Sequence, residues 1–124
     1  MIILNSDNIQ DILYSFNNFH DGSIASFNYD TFNNEIEVIL DTYRWNKESY
    51  KFNTQPIKCK VTMIFKNIEK LDMHEIYYWD FIFKANIREE EVNGQNIFTF
   101  IDDEDNQNLI ISCREILINS IDIK

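Results

Sequence analysis

The chain has 124 residues, which fits one domain over 1–124 and leaves no room for two. Its 21 acidic residues against 11 basic ones give a formal charge of −10. That balance weighs against nucleic-acid binding, which needs clustered Lys and Arg to neutralise phosphates, and against docking on an anionic membrane; it permits a basic protein partner.

The opening residues Met1-Ile2-Ile3-Leu4-Asn5-Ser6-Asp7 lack the basic start and long apolar run of a secretory leader. No stretch approaches the ~18 apolar residues of a membrane helix, so a cytoplasmic address is expected. Asp7 and Gln10 have the spacing of a capping box, in which an acceptor side chain takes an orphan amide and its partner reaches back. Ile9, Ile12, Leu13, Phe16 and Phe19 then recur at helical spacing and predict one amphipathic helix. Asn17-Asn18 weakens its end and Gly22 is expected to stop it by supplying a left-handed turn.

Beyond Gly22 the apolar period becomes two. Ile24 to Tyr29 reads as a strand ended by the turn-rich cluster Asp30 to Asn34. Ile36, Val38 and Leu40 form a second strand and close the first hairpin. Arg44 to Pro56 is the least regular stretch. Ile57, Cys59, Val61, Met63 and Phe65 alternate with Lys58, Lys60, Thr62, Ile64 and Lys66, the clearest strand, with one face inside and one wet. Residues 76–92 favour strand. Asn93-Gly94 has the composition of a type I′ turn, because both central residues need positive φ. Ile97 to Ile101 returns from it, Asp102 to Asn108 is a polar reversal, and Leu109 to Ile118 is the last strand. The fold class expected is α+β: one N-terminal helix packed on a predominantly antiparallel, meandering sheet of about six strands.

Few groups have the spacing that chemistry needs. His20 beside Asp21 has the composition of an oriented general base. Neighbours in a chain seldom point at one another, and no Ser or Cys nucleophile is identifiable by spacing. A structural role at the helix-to-strand handover is favoured, and no catalytic residue is assigned beyond that alternative pair. The only histidines are His20 and His74 and the only cysteines Cys59 and Cys113, with no close ligand pair, so neither a metal site nor another cofactor is expected. Both cysteines sit in apolar strand patterns and behave as small hydrophobes; neighbouring strands could bring them together, although a disulfide is not needed. Asp102-Asp103-Glu104-Asp105 lacks the Gly and terminal Glu of a calcium loop and reads as a solvated acidic tip.

Binding residues are easier to nominate. Tyr43, Trp45, Tyr50 and Phe52 are interleaved with Arg44, Lys47 and Lys51, and exposed Trp, Tyr and Arg are typical interface anchors. The competing reading has Tyr43 and Trp45 merely extending the second strand over the core. Residues 63–124 carry 6 basic and 13 acidic groups against 5 and 8 in residues 1–62, so an acidic docking face draws mainly on the C-terminal half, Asp102, Asp103 and Asp105 included.

The short helix, Phe19-His20-Asp21-Gly22 and a hairpin of the form Ile24-x-x-Phe27 … Ile36-x-Val38-x-Leu40 resemble a group of small bacterial proteins. Many of these are uncharacterised, and some are grouped with immunity proteins of polymorphic toxin systems. The resemblance covers roughly the first third of the chain, and the remainder matches only as a run of strands. It implies a cytoplasmic protein that binds and silences a cognate toxin; separately, the chain is expected to be a monomer or homodimer. It transfers no catalytic residue and makes His20-Asp21 a fold signature. The alternative is a small-ligand-binding or hydrolytic domain using His20 and Asp21.

Overall fold

The computed structural model describes residues 1–5, 7–45, 56–74, 84–90, 95–101 and 107–123, with the backbone alone for 84–90, 95, 107 and 108. The elements run β1 (Ile2–Ile3), α1 (Ile9–Ser15), β2 (Ser23–Asp30), β3 (Glu35–Arg44), β4 (Ile57–Met73), β5 (Lys84–Glu90), β6 (Gln95–Ile101) and β7 (Gln107–Ile123). All strand pairings among the described residues are antiparallel, which agrees with the α+β reading.

The helix differs from its expected form at both ends. The N-cap is Asn8, with no side-chain cap bond, and the reciprocal bonding lies between Asn5 and Asn8 in the turn before the helix, not between Asp7 and Gln10. Asn5 Oδ1 accepts the Asn8 N–H at 3.0 Å, and Asn8 Oδ1 accepts the Asn5 N–H at 2.9 Å. At the other end the helix stops at Ser15, and Asn17–Phe19 forms a tight turn with φ of 50°, 55° and 59°. Asn tolerates this region because its short polar side chain can bond locally; Phe19 adopts it at a cost of about 1–2 kcal/mol. What offsets that cost is packing, since Phe16 and Phe19 are both 1% exposed and stack with ring centroids 5.3 Å apart. A seven-residue helix is marginal alone, so α1 exists through its buried face, Ile9 and Leu13 together with Phe16.

The sheet order is β2-β3-β4-β7-β6-β5, with β1 on β7. This corrects the simple meander: β2-β3-β4 and β5-β6-β7 are each sequential, but β4 lies beside β7 and not beside β5. β7 is long enough to serve two neighbours along one edge, pairing β6 over Gln107–Cys113 and β1 at Leu117 and Ile118, while β4 runs along its other edge. The inner face alternates as its period demands. Ile36, Val38 and Leu40 of β3 stand beside Phe65, Met63 and Val61 of β4, and Phe65 and Met63 stand beside Ile116 and Ile118 of β7; all are buried. The turn at Asn17–Phe19 touches both β3 and β5, which three strands separate, so the sheet curls around it. Rings continue the core from helix to sheet, with Phe19 6.3 Å from Phe100, Phe100 4.7 Å from Phe98 and Phe98 5.2 Å from Phe65.

The cysteines do not meet. Cys59 stands opposite Ile123 and Cys113 opposite Ile68, nine positions along the same strand. At about 3.3 Å per residue the separation is about 30 Å, far beyond the ~7 Å span of a disulfide. Both are free and buried.

Candidate functional site

Two cross-strand pairs define the site. Ser23 of β2 stands opposite Asp41 of β3, and Tyr43 of β3 stands opposite Lys58 of β4. These odd positions of β3 point away from the core, opposite to Ile36, Val38 and Leu40, so all four side chains share the outer face. Together with Asp21 and the edge of Thr42 they line a cleft of about 160 Å³. Lys60 Nζ lies 4.0 Å from Asp41 Oδ1 on the same face. The result is a mixed-charge surface with one tyrosine in it.

Asp21 reaches the cleft because the chain turns sharply before β2. The His20 N–H donates to Asn17 O at 3.0 Å, and the Gly22 N–H donates to Phe19 O at 2.9 Å. The left-handed residue at this handover is Asp21, with φ of 63°, and not Gly22 as expected. Gly22 is required for a different reason. A Cβ there would lie 2.9 Å from Phe19 O and 3.2 Å from both Asp41 O and Thr42 Oγ1. The chain passes too close to β3 for any side chain.

His20 and Asp21 do approach each other, Nε2 to Oδ1 being 3.6 Å, with side chains 40% and 71% exposed. That is an ion-pair distance rather than a hydrogen bond. Asp21 lines the cleft and His20 is not among its lining residues. Of the proposed anchors, Tyr43 is half-buried within β3. Trp45, just past the strand, is also half-buried, and its N–H donates to Ser15 O at 2.6 Å, tying the end of β3 to the end of α1. Tyr50, Phe52, Asp102, Asp103 and Asp105 lie outside the described residues, as do the Asn93-Gly94 turn and Tyr77 to Phe83. Among the described residues no three His, Cys, Asp or Glu side chains are grouped to hold a metal ion, and no helix is long and apolar enough to cross a membrane.

Sequence reasoning missed Ser23, Asp41 and Lys58, which become neighbours only through strand register. It also passed over Phe32, which is 94% exposed at the tip of the β2–β3 hairpin. The signal was present: an aromatic inside the turn cluster Asp30 to Asn34, where only polar residues are expected.

Comparison with protein-family models, curated proteins and solved structures returns no match to this chain.

Proposed function

We propose that the protein is a non-enzymatic binding protein that engages a protein partner. The observation that carries this reading is the placement of Tyr43 on an open, mixed-charge sheet face between Lys58 and Asp41. A cleft of about 160 Å³ is well below the ~300–1,000 Å³ of typical small-molecule sites. Its shape and polarity are those of the polar ground around an interface anchor. The charge of −10 favours encounter with a basic partner, and the C-terminal half supplies most of it. The finer form of the proposal is an immunity protein of bacterial origin, acting in the cytoplasm, that neutralises a cognate toxin by contact; the resemblance of the first third of the chain supports it.

A second reading draws on the His20–Asp21 approach of 3.6 Å beside the cleft that Asp21 lines. In that form the pair would serve a small ligand or a hydrolytic step.

A pull-down from lysate of the source cells, beside a charge-matched control, separates the two. The expected result is one stoichiometric partner lost on Tyr43→Ala or Trp45→Ala and kept on His20→Ala. For the immunity form, co-expression must also rescue growth from that partner's toxicity. A small molecule retained in native mass spectra and lost on His20→Ala, with no protein captured, would favour the second reading.

A further inference from the structure

Residues 31–34 close the hairpin between β2 and β3, and Phe32 stands there almost wholly in water. A single exposed apolar side chain is ordinary on a protein surface. The turn beneath this one is held by its own side chains. Asp30 Oδ1 accepts the N–H groups of Phe32 and Asn33, each at 3.1 Å, and Asp30 Oδ2 accepts from Asn33 Nδ2 at 2.7 Å. The Asn33 side chain first, then its backbone amide, holds the Asp30 carboxyl below its ordinary value, so the acceptor stays ionised.

The turn is also bolted to the sheet. Asn34, with φ of 53°, donates from Nδ2 to Ile68 O at 3.0 Å and accepts the Tyr29 hydroxyl at 2.9 Å. Its carbonyl takes the Asn67 N–H at 3.1 Å. Bonds to two strands, β2 and β4, thus fix the base from which Phe32 projects. The braced turn has already lost the backbone freedom that binding would otherwise remove, which suits it to carry an interface contact.

We infer that Phe32 is the anchor of a docking site for a protein whose surface offers an apolar socket rimmed by Lys or Arg. This rests on the protein-binding reading above and adds to Tyr43 a second contact, at the hairpin end of β3. Charge selects the occupant. Asp30 and Glu35 flank the tip, and Lys66 lies 3.9 Å from Glu35 and offsets it, so Asp30 is the carboxylate left unbalanced beside the ring. The chain's −10 opposes a second copy of itself and opposes insertion of the ring into an anionic membrane. Tyr29, 36% exposed and held by its hydroxyl, supplies an aromatic flank.

The test replaces Phe32 by the photo-cross-linker p-benzoylphenylalanine in the source cells, identifies the adduct, and measures that protein's affinity for the purified chain. Expected are a protein adduct and a Kd raised about 30-fold or more by Phe32→Ala, restored by Phe32→Trp, with an on-rate that falls as salt rises. An adduct only with a second copy or with lipid, no adduct, or a Kd within about twofold of wild type on Phe32→Ala would overturn the inference. A partner that still binds Phe32→Ala but is lost on Tyr43→Ala would overturn the inference and leave the protein-binding reading with its anchor at the cleft. If neither position touches a partner, both fall.

Discussion

At Gly22 the backbone of the helix-to-strand turn passes so near β3 that a methyl group would press on two carbonyl oxygens, Phe19 O at 2.9 Å and Asp41 O at 3.2 Å. Backbone cannot yield as a flexible side chain would, so Gly22→Ala is expected to cost about 1–3 kcal/mol in urea unfolding. Thr42 presents the opposite case. It is 3% exposed, on the inner face, and its Oγ1 is buried with no hydrogen-bond partner among the described residues. Thr42→Val removes that desolvated hydroxyl at constant shape and is expected to stabilise by about 1 kcal/mol; destabilisation would show that the hydroxyl is satisfied. Burial pushes the Cys113 thiol up to about 12, barely offset by the Glu115 backbone amide. The unfolded chain releases this proton near 9.0, so between pH 9.0 and about 12 the native state binds more protons than the unfolded one. Stability therefore falls through that window, by up to about 1.4 kcal/mol per pH unit. The slope difference between wild type and Cys113→Ala measures it.

Among the elements, the β2–β3 hairpin shows how one side chain ties local structure to the sheet. Asn34 joins its own turn to Tyr29 and to the β4 carbonyl of Ile68. Asn34→Ala loses both bonds and places a less tolerant residue at a φ of 53°. The expected loss is about 1–2 kcal/mol, with amide exchange faster at residues 31–34 than in β3. The hairpin itself was legible in sequence, because Phe27 and Tyr29 against Ile36, Val38 and Leu40 carry a strand period on either side of a turn cluster, with Ile24 out of phase where β2 bulges between Ile24 and Ser26. The helix was legible in its apolar face but not in its ends. Asn5 and Asn8 bond each other in the turn between β1 and the helix, a pairing that the Asp7–Gln10 spacing did not reveal. Past Ser15 the chain leaves the helix for the left-handed turn at Asn17–Phe19, where Phe16 and Phe19 stack.

Across the whole molecule, two three-stranded runs are joined where β4 meets β7. Phe65 of β4 and Phe98 of β6 span that joint, meeting edge to face across β7 at 5.2 Å, and both are fully buried. Each truncation to Ala is expected to cost about 3–5 kcal/mol. A double-mutant cycle should return about 0.5–1.5 kcal/mol of coupling, since neither ring keeps its partner once the other is gone. Strictly additive losses would mean the two runs pack independently.

The sequence alone determined the residue periods, and with them the helix face, the strands around Ile36 and Ile57, the inner set Val38, Leu40, Val61, Met63 and Phe65, and the acidic surface, because these depend only on spacing and charge. Tertiary structure decided the rest. Strand order, the distance between Cys59 and Cys113, the reason for Gly22, and the meeting of Ser23, Asp41, Tyr43 and Lys58 all follow from which strand lies beside which. A strand of period two presents the same apolar face to any neighbour, so its pattern says which side is inside but not what stands next to it.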